Sequence, residues 1–104
     1  MSVLKITNSN FRQEVLESDR PVLLDFWAVW CGPCRAVSPI VEEIAGERSD
    51  IKVCKINVDE EQALAAAFHI TSIPTLLVVR NGRVVQQSIG AKSKRSILAM
   101  LDMI

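Results

Sequence analysis

The sequence has no excess of charge of either sign: twelve lysines and arginines balance twelve aspartates and glutamates. That balance argues against an electrostatic grip on nucleic acid or on an anionic membrane surface, both of which call for a basic face. Protein partners are expected instead. Long hydrophobic runs are missing too, and no stretch approaches the roughly 20 apolar residues of a transmembrane helix. Met1-Ser2-Val3-Leu4-Lys5-Ile6 gives way to the polar Thr7-Asn8-Ser9-Asn10, without the apolar core and cleavage signal of a secretory leader. Histidine occurs once and cysteine three times. So few donors make a zinc site, with its four or so ligands, hard to assemble. An odd and small number of cysteines also argues against a secreted disulfide framework and for a reducing compartment such as the cytosol. Repeats and low-complexity segments are absent, and 104 residues leave room for one domain, 1–104, with a real but small core.

Two of the three cysteines stand in Phe26-Trp27-Ala28-Val29-Trp30-Cys31-Gly32-Pro33-Cys34-Arg35. Before them, Pro21 to Trp27 is apolar at even and odd positions alike, the pattern of a central strand buried on both faces. After them, Val37, Ile40, Val41 and Ile44 recur at three- and four-residue intervals, which predicts a helix beginning near Cys34. The cysteines therefore fall at a strand-to-helix junction, where Gly32 permits a tight turn and Pro33 suits a first helical turn. A thiolate at a helix N-terminus meets unpaired N–H groups and the positive end of the helix dipole, so Cys31 is expected to be a nucleophile. Cys34, three residues on, can attack a mixed disulfide on Cys31. Against this stand a structural bridge and half of a zinc site. So short a loop constrains the unfolded chain little, and only Cys54 and His69 remain as further ligands.

At these residues the chain resembles the thioredoxins. The likeness rests on Asp25-Phe26-Trp27-Ala28 and Trp30-Cys31-Gly32-Pro33-Cys34-Arg35. It extends to Pro39, Lys55-Ile56-Asn57-Val58-Asp59, Ile73-Pro74-Thr75-Leu76, Asn81-Gly82 and Gly90-Ala91, blocks that follow the family's order over nearly the whole chain. The resemblance implies an α/β fold with a mixed five-stranded sheet flanked by four helices, the cysteine-bearing strand at its centre, and a kink at Pro39. It implies a monomeric cytoplasmic protein-disulfide reductase without metal or organic cofactor, drawing electrons from a thioredoxin reductase and acting on disulfide-containing target proteins. Gly32-Pro33 between the cysteines resembles the reducing branch of the family. The alternatives are an oxidising or isomerising relative, and a non-enzymatic subunit that holds partners in the same groove.

The remaining elements follow from local pattern. A strand is expected over Val3 to Thr7, then a helix capped by Asn8-Ser9-Asn10 and ending near Ser18. A strand over Ile51 to Val58 precedes a helix capped by Asp59, with Gln62 in the capping-box position. A strand over Thr75 to Arg80 turns at Asn81-Gly82 into an antiparallel return from Arg83 to Ile89. Ser93 caps a last helix that turns Ile97, Leu98, Leu101 and Ile104 inward.

Among candidate site residues, Asp25 interrupts an apolar strand. Either it faces water at the strand's end, or it is buried with a raised pKa and takes the proton of Cys34. The resemblance makes Lys55 its neighbour and tuning charge, against a plain solvated lysine. Trp27 is expected in the core and Trp30 on an exposed apolar rim, which Val29 would enlarge if exposed. The resemblance also sets Ile73 and Pro74 against the cysteines, with Gly90 and Ala91 completing a target groove through close backbone approach. A cis Ile73–Pro74 bond is expected before the buried strand. Cys54 reads as a small buried hydrophobe, and His69 as a left-handed helix cap in preference to a ligand or switch. Lys92, Lys94 and Arg95 read as a solvated face or a docking patch.

Overall fold

The computed structural model describes residues 2–104. Strands β1 (Leu4–Lys5), β2 (Val22–Trp27), β3 (Lys52–Asn57), β4 (Thr75–Arg80) and β5 (Arg83–Ile89) form one sheet in the order β1-β3-β2-β4-β5. β1 and β2 run parallel to β3, whereas β4 is antiparallel to both β2 and β5. The mixed five-stranded α/β sheet with β2 at its centre is the expected one.

Side-chain alternation along β2 divides the core in two. Leu23 joins Val53, Leu76 and Val78 beneath Val37, Val41 and Ile44 of helix α1 (Gly32–Glu47) and Ile97 and Leu101 of helix α3 (Lys94–Leu101). Val22, Leu24 and Phe26 face the other way, with Ile56, Leu77 and Val79. They pack against Val15 of a π-helical segment (Arg12–Leu16) and Leu64 of helix α2 (Gln62–Ala67). Both faces of β2 are thus covered, which is why its sequence is apolar at every position except Asp25.

Several local expectations need correction. The first helix is a five-residue π-helical segment, and no side chain caps it. Asn10 instead locks the preceding turn, accepting from the Thr7 N–H at 2.7 Å and donating to the Lys5 carbonyl at 3.0 Å. Neither Asp59 nor Gln62 caps α2, whose N-cap is Glu61. The Asn57 carboxamide, at the end of β3, accepts from Asp59 and Glu60 N–H and turns the chain there. α1 runs from Gly32, close to the expected start near Cys34, to Glu47, with Pro39 inside it.

Other expectations hold. His69 has φ 56°, and the His69 and Ile70 N–H groups return to the Ala66 and Ala65 carbonyls, closing α2 with a Schellman motif. Asn81 and Gly82 both take positive φ in the two-residue β4–β5 turn, the pairing that a type I′ hairpin requires. Ser93 caps α3 by accepting from the Ser96 N–H. Lys94 does not belong to a free basic patch: its ammonium bridges Glu43 and Glu47 of α1 at 3.0 and 2.7 Å.

Candidate active site

β2 ends at Trp27 and α1 begins at Gly32, so Ala28 to Cys31 form the link between the central strand and the longest helix. Cys31 is the N-cap of α1, and its sulfur accepts a hydrogen bond from the Cys34 N–H at 3.2 Å. That is the donor a helix N-terminus leaves without an internal partner, and it stabilises negative charge on sulfur. Cys31 and Cys34 are joined by a disulfide with 5.2 Å between their Cα atoms. Both are nearly buried, at 4% and 2% exposure. Gly32 has no left-handed backbone, and a Cβ added there would meet nothing within 4 Å. The turn is built without the left-handed backbone that glycine adopts most freely.

Asp25 lies on the α1 side of β2 at 1% exposure, so it does not face water. Neither carboxylate oxygen has a hydrogen-bond partner. Burial pushes its pKa up to about 6, against the opposing attraction of Lys55. Lys55 is its register partner on β3. The Lys55 ammonium donates to Ser38 Oγ at 3.2 Å and sits 4.5 Å from the centroid of the Trp27 ring. It is half-buried, which removes the plain solvated reading.

The Ile73–Pro74 peptide is cis, and Cys31 Sγ lies 3.8 Å from the Ile73 carbonyl oxygen. Pro74 is buried, and its carbonyl accepts from the Gly90 N–H at 2.8 Å. This bond carries Gly90 and the exposed Ala91 to the cysteine end of the sheet. Gly90 has φ 91°, yet a Cβ added to it would meet nothing within 4 Å. Within the chain itself, backbone conformation is what demands glycine there.

Trp30 and Val29 are exposed at 66% and 67%, whereas Trp27 packs around the cysteines. The Trp30 indole N–H donates to Asp59 Oδ2 at 2.8 Å, which fixes the ring over an open groove of about 180 Å³ lined in part by Val58, Ile70 and Ile73. Sequence reasoning missed both Asp59 and Ser38 as parts of this end of the molecule. Ser38 carried one usable signal, its position a helical turn after Cys34.

A thioredoxin family model matches residues 2–103. The chain belongs to the thioredoxin family. Among curated relatives, it is 50% identical to a thioredoxin of Pyropia yezoensis over 103 residues, covering 98% of this chain and 96% of the relative. It is 50% identical to thioredoxin 1 of Synechococcus elongatus over 98 residues, with 93% and 92% covered. A Mycobacterium bovis thioredoxin is 46% identical over 102 residues, with 97% and 88% covered. The activity is that of a thioredoxin-type protein-disulfide oxidoreductase, carried by the Cys-Gly-Pro-Cys pair, with the family's part in electron transport and redox homeostasis. Disulfide-containing proteins and a thioredoxin reductase are the partners the family implies. Among the described residues no helix is long and apolar enough to cross a membrane, and no three His, Cys, Asp or Glu side chains gather as a metal site.

Proposed function

We propose that the chain, acting as one domain over residues 1–104, reduces target disulfides in the cytoplasm as a monomer, with Cys31 attacking, Cys34 resolving and Asp25 receiving the proton. The observation that carries the reading is the placement of Cys31 at the N-cap of α1, with the Cys34 N–H directed at its sulfur. In the reduced protein, the Cys31 thiolate attacks one sulfur of the target disulfide and the other target sulfur leaves as a thiolate. Asp25 then takes the proton of Cys34. The Cys34 thiolate attacks Cys31 Sγ, the mixed disulfide breaks, and the second target sulfur leaves. The target gains two electrons and, with protons from solvent, two thiols; the chain is left with the Cys31–Cys34 disulfide. Electrons from a thioredoxin reductase restore the dithiol.

Lys55 tunes Asp25, while Gly32 and Pro33 keep the dithiol loop in reducing form. An extended target segment pairs with the backbone of Ile73 beside Pro74. Trp30, Gly90 and Ala91 flank it. Insulin reduction with dithiothreitol tests the reading. Wild type should accelerate precipitation of the insulin chains, Cys31→Ser and Cys34→Ser should each abolish the acceleration, and Cys54→Ser should keep most of it. Acceleration that survives loss of either active-site cysteine would overturn it.

A further inference from the structure

The Lys55 ammonium meets a hydroxyl and an aromatic ring, and neither contact is with Asp25, its register partner. Lys55 Nζ donates to Ser38 Oγ at 3.2 Å and stands over the Trp27 ring, while both oxygens of Asp25 go without a hydrogen bond. Ser38 follows Cys34 by four residues on α1, so the two side chains share a helix face. That face covers the side of the sheet that carries Asp25 and Lys55. A lysine stem at this depth would otherwise run outward and leave its charge in water. Ser38 offers it an anchor under the helix.

We propose that Ser38 is a positioning residue, whose hydroxyl holds the Lys55 ammonium on the Asp25 side of α1 and thereby sets the pH at which Asp25 can take the proton of Cys34. The proposal rests on the role given to Asp25 above. Lys55 is the charge that acts on the carboxylate, and α3 brings the apolar Ile97, Met100 and Leu101 to this face of the sheet. β3 supplies Lys55. α1 supplies Cys34, a thiol in the reduced protein, and the uncharged Ser38. Beside Asp25, β4 supplies only Thr75, Leu76 and Leu77. Beyond Lys55, β1 places Lys5 in register, paired with Glu60 at 3.2 Å.

The sign follows from the tether. Proton transfer from Cys34 Sγ needs Asp25 ionised, and a nearby ammonium favours that form. Without the Ser38 hydroxyl the ammonium moves toward water, its attraction weakens, and the carboxyl holds its proton to higher pH.

Carboxyl-carbon NMR titration of the oxidised full-length protein reads this directly. In Ser38→Ala the Asp25 midpoint should rise by about half a pH unit. Ser38→Thr, which keeps the hydroxyl, should return it to the wild-type value. In a Lys55→Met background Ser38→Ala should have no further effect. A Ser38→Ala midpoint at or below wild type, or a shift of the same size in the Lys55→Met background, would overturn the proposal. The pH profile of mixed-disulfide resolution separates it from the reading beneath it. If the midpoint moves and the profile does not, the Asp25 role fails. If the profile depends on Asp25 and neither midpoint nor profile responds to Ser38, the positioning role alone fails.

Discussion

At the scale of single residues, Asp25 is a carboxylate that the fold buries without a partner, and the cost is measurable. Its pKa in the folded protein is about 6 against an ordinary 3.8. Between those values the unfolded chain gives up the proton first, so stability falls as pH rises through the window and levels off above it. At about 1.4 kcal/mol per pH unit, the gap amounts to roughly 3 kcal/mol. Denaturant titrations from pH 3 to 8 should show wild type losing that much relative to Asp25→Asn, whose side chain has no proton to lose. Parallel pH profiles for the two would refute the assignment. Cys54 is a contrasting case. Burial pushes its thiol up to about 12, so at neutral pH it should resist alkylation in the folded, reduced protein while Cys31 reacts first. Mass mapping after brief iodoacetamide treatment reads the order, and first labelling of Cys54 would contradict it. Asp25 and Cys54 were legible in the sequence because an apolar strand leaves a charged or small residue conspicuous. Ser38 and Asp59 were not, since a polar residue on a helix or loop is ordinary and only its distant partner, Lys55 or Trp30, gives it meaning.

At the scale of elements, periodicity located every strand and the two longer helices within a few residues. Burial produces that signal, and burial is what the core supplies on both faces of the sheet. The ends of elements were less legible. Asn10, Asn57 and Asp59 are all good capping residues, and which oxygen meets which N–H depends on backbone geometry that composition does not encode. Even so, the β4–β5 turn was readable from Asn81-Gly82, though the register shift between Val78 and Val79 was not. The hairpin's far end makes a prediction. Gly90 combines φ 91° with a hydrogen bond to the Pro74 carbonyl, so Gly90→Ala should cost about 1–2 kcal/mol through left-handed strain. It should also lower turnover by disturbing the loop beside Cys31. Gly32→Ala, with open space and no such φ, should keep its stability. Equal stability losses in the two variants, measured by denaturant titration, would show that backbone conformation is not what Gly90 provides.

At the scale of the whole molecule, the catalytic end is a meeting of chain segments far apart in sequence. The β2–α1 junction brings the cysteines, the segment just before β4 brings Ile73 and Pro74, the residue after β5 brings Gly90, and the loop after β3 brings Asp59. Hydrophobic pattern could not order the strands, because parallel and antiparallel neighbours of a buried strand bury the same side chains. That order came from the family resemblance, and with it the contact between Ile73 and Cys31. Elsewhere, ion pairs tie the ends together: Arg48 joins Asp50 and Asp102 near the C-termini of α1 and α3, and Lys94 joins α3 to α1. The exposed Val29 and Trp30 share the cysteine end, so the proposed target site and the cysteines would share one apolar rim. The central claim is the division of labour between Cys31 at the helix N-cap and Cys34 one turn inside. Trapping of mixed disulfides tests it most directly, with Cys34→Ser and Cys31→Ser variants incubated with a disulfide-containing target and resolved on non-reducing gels. Cys34→Ser should accumulate a stable adduct through Cys31 while Cys31→Ser accumulates little; equal trapping by both, or trapping through Cys34 alone, would contradict the account.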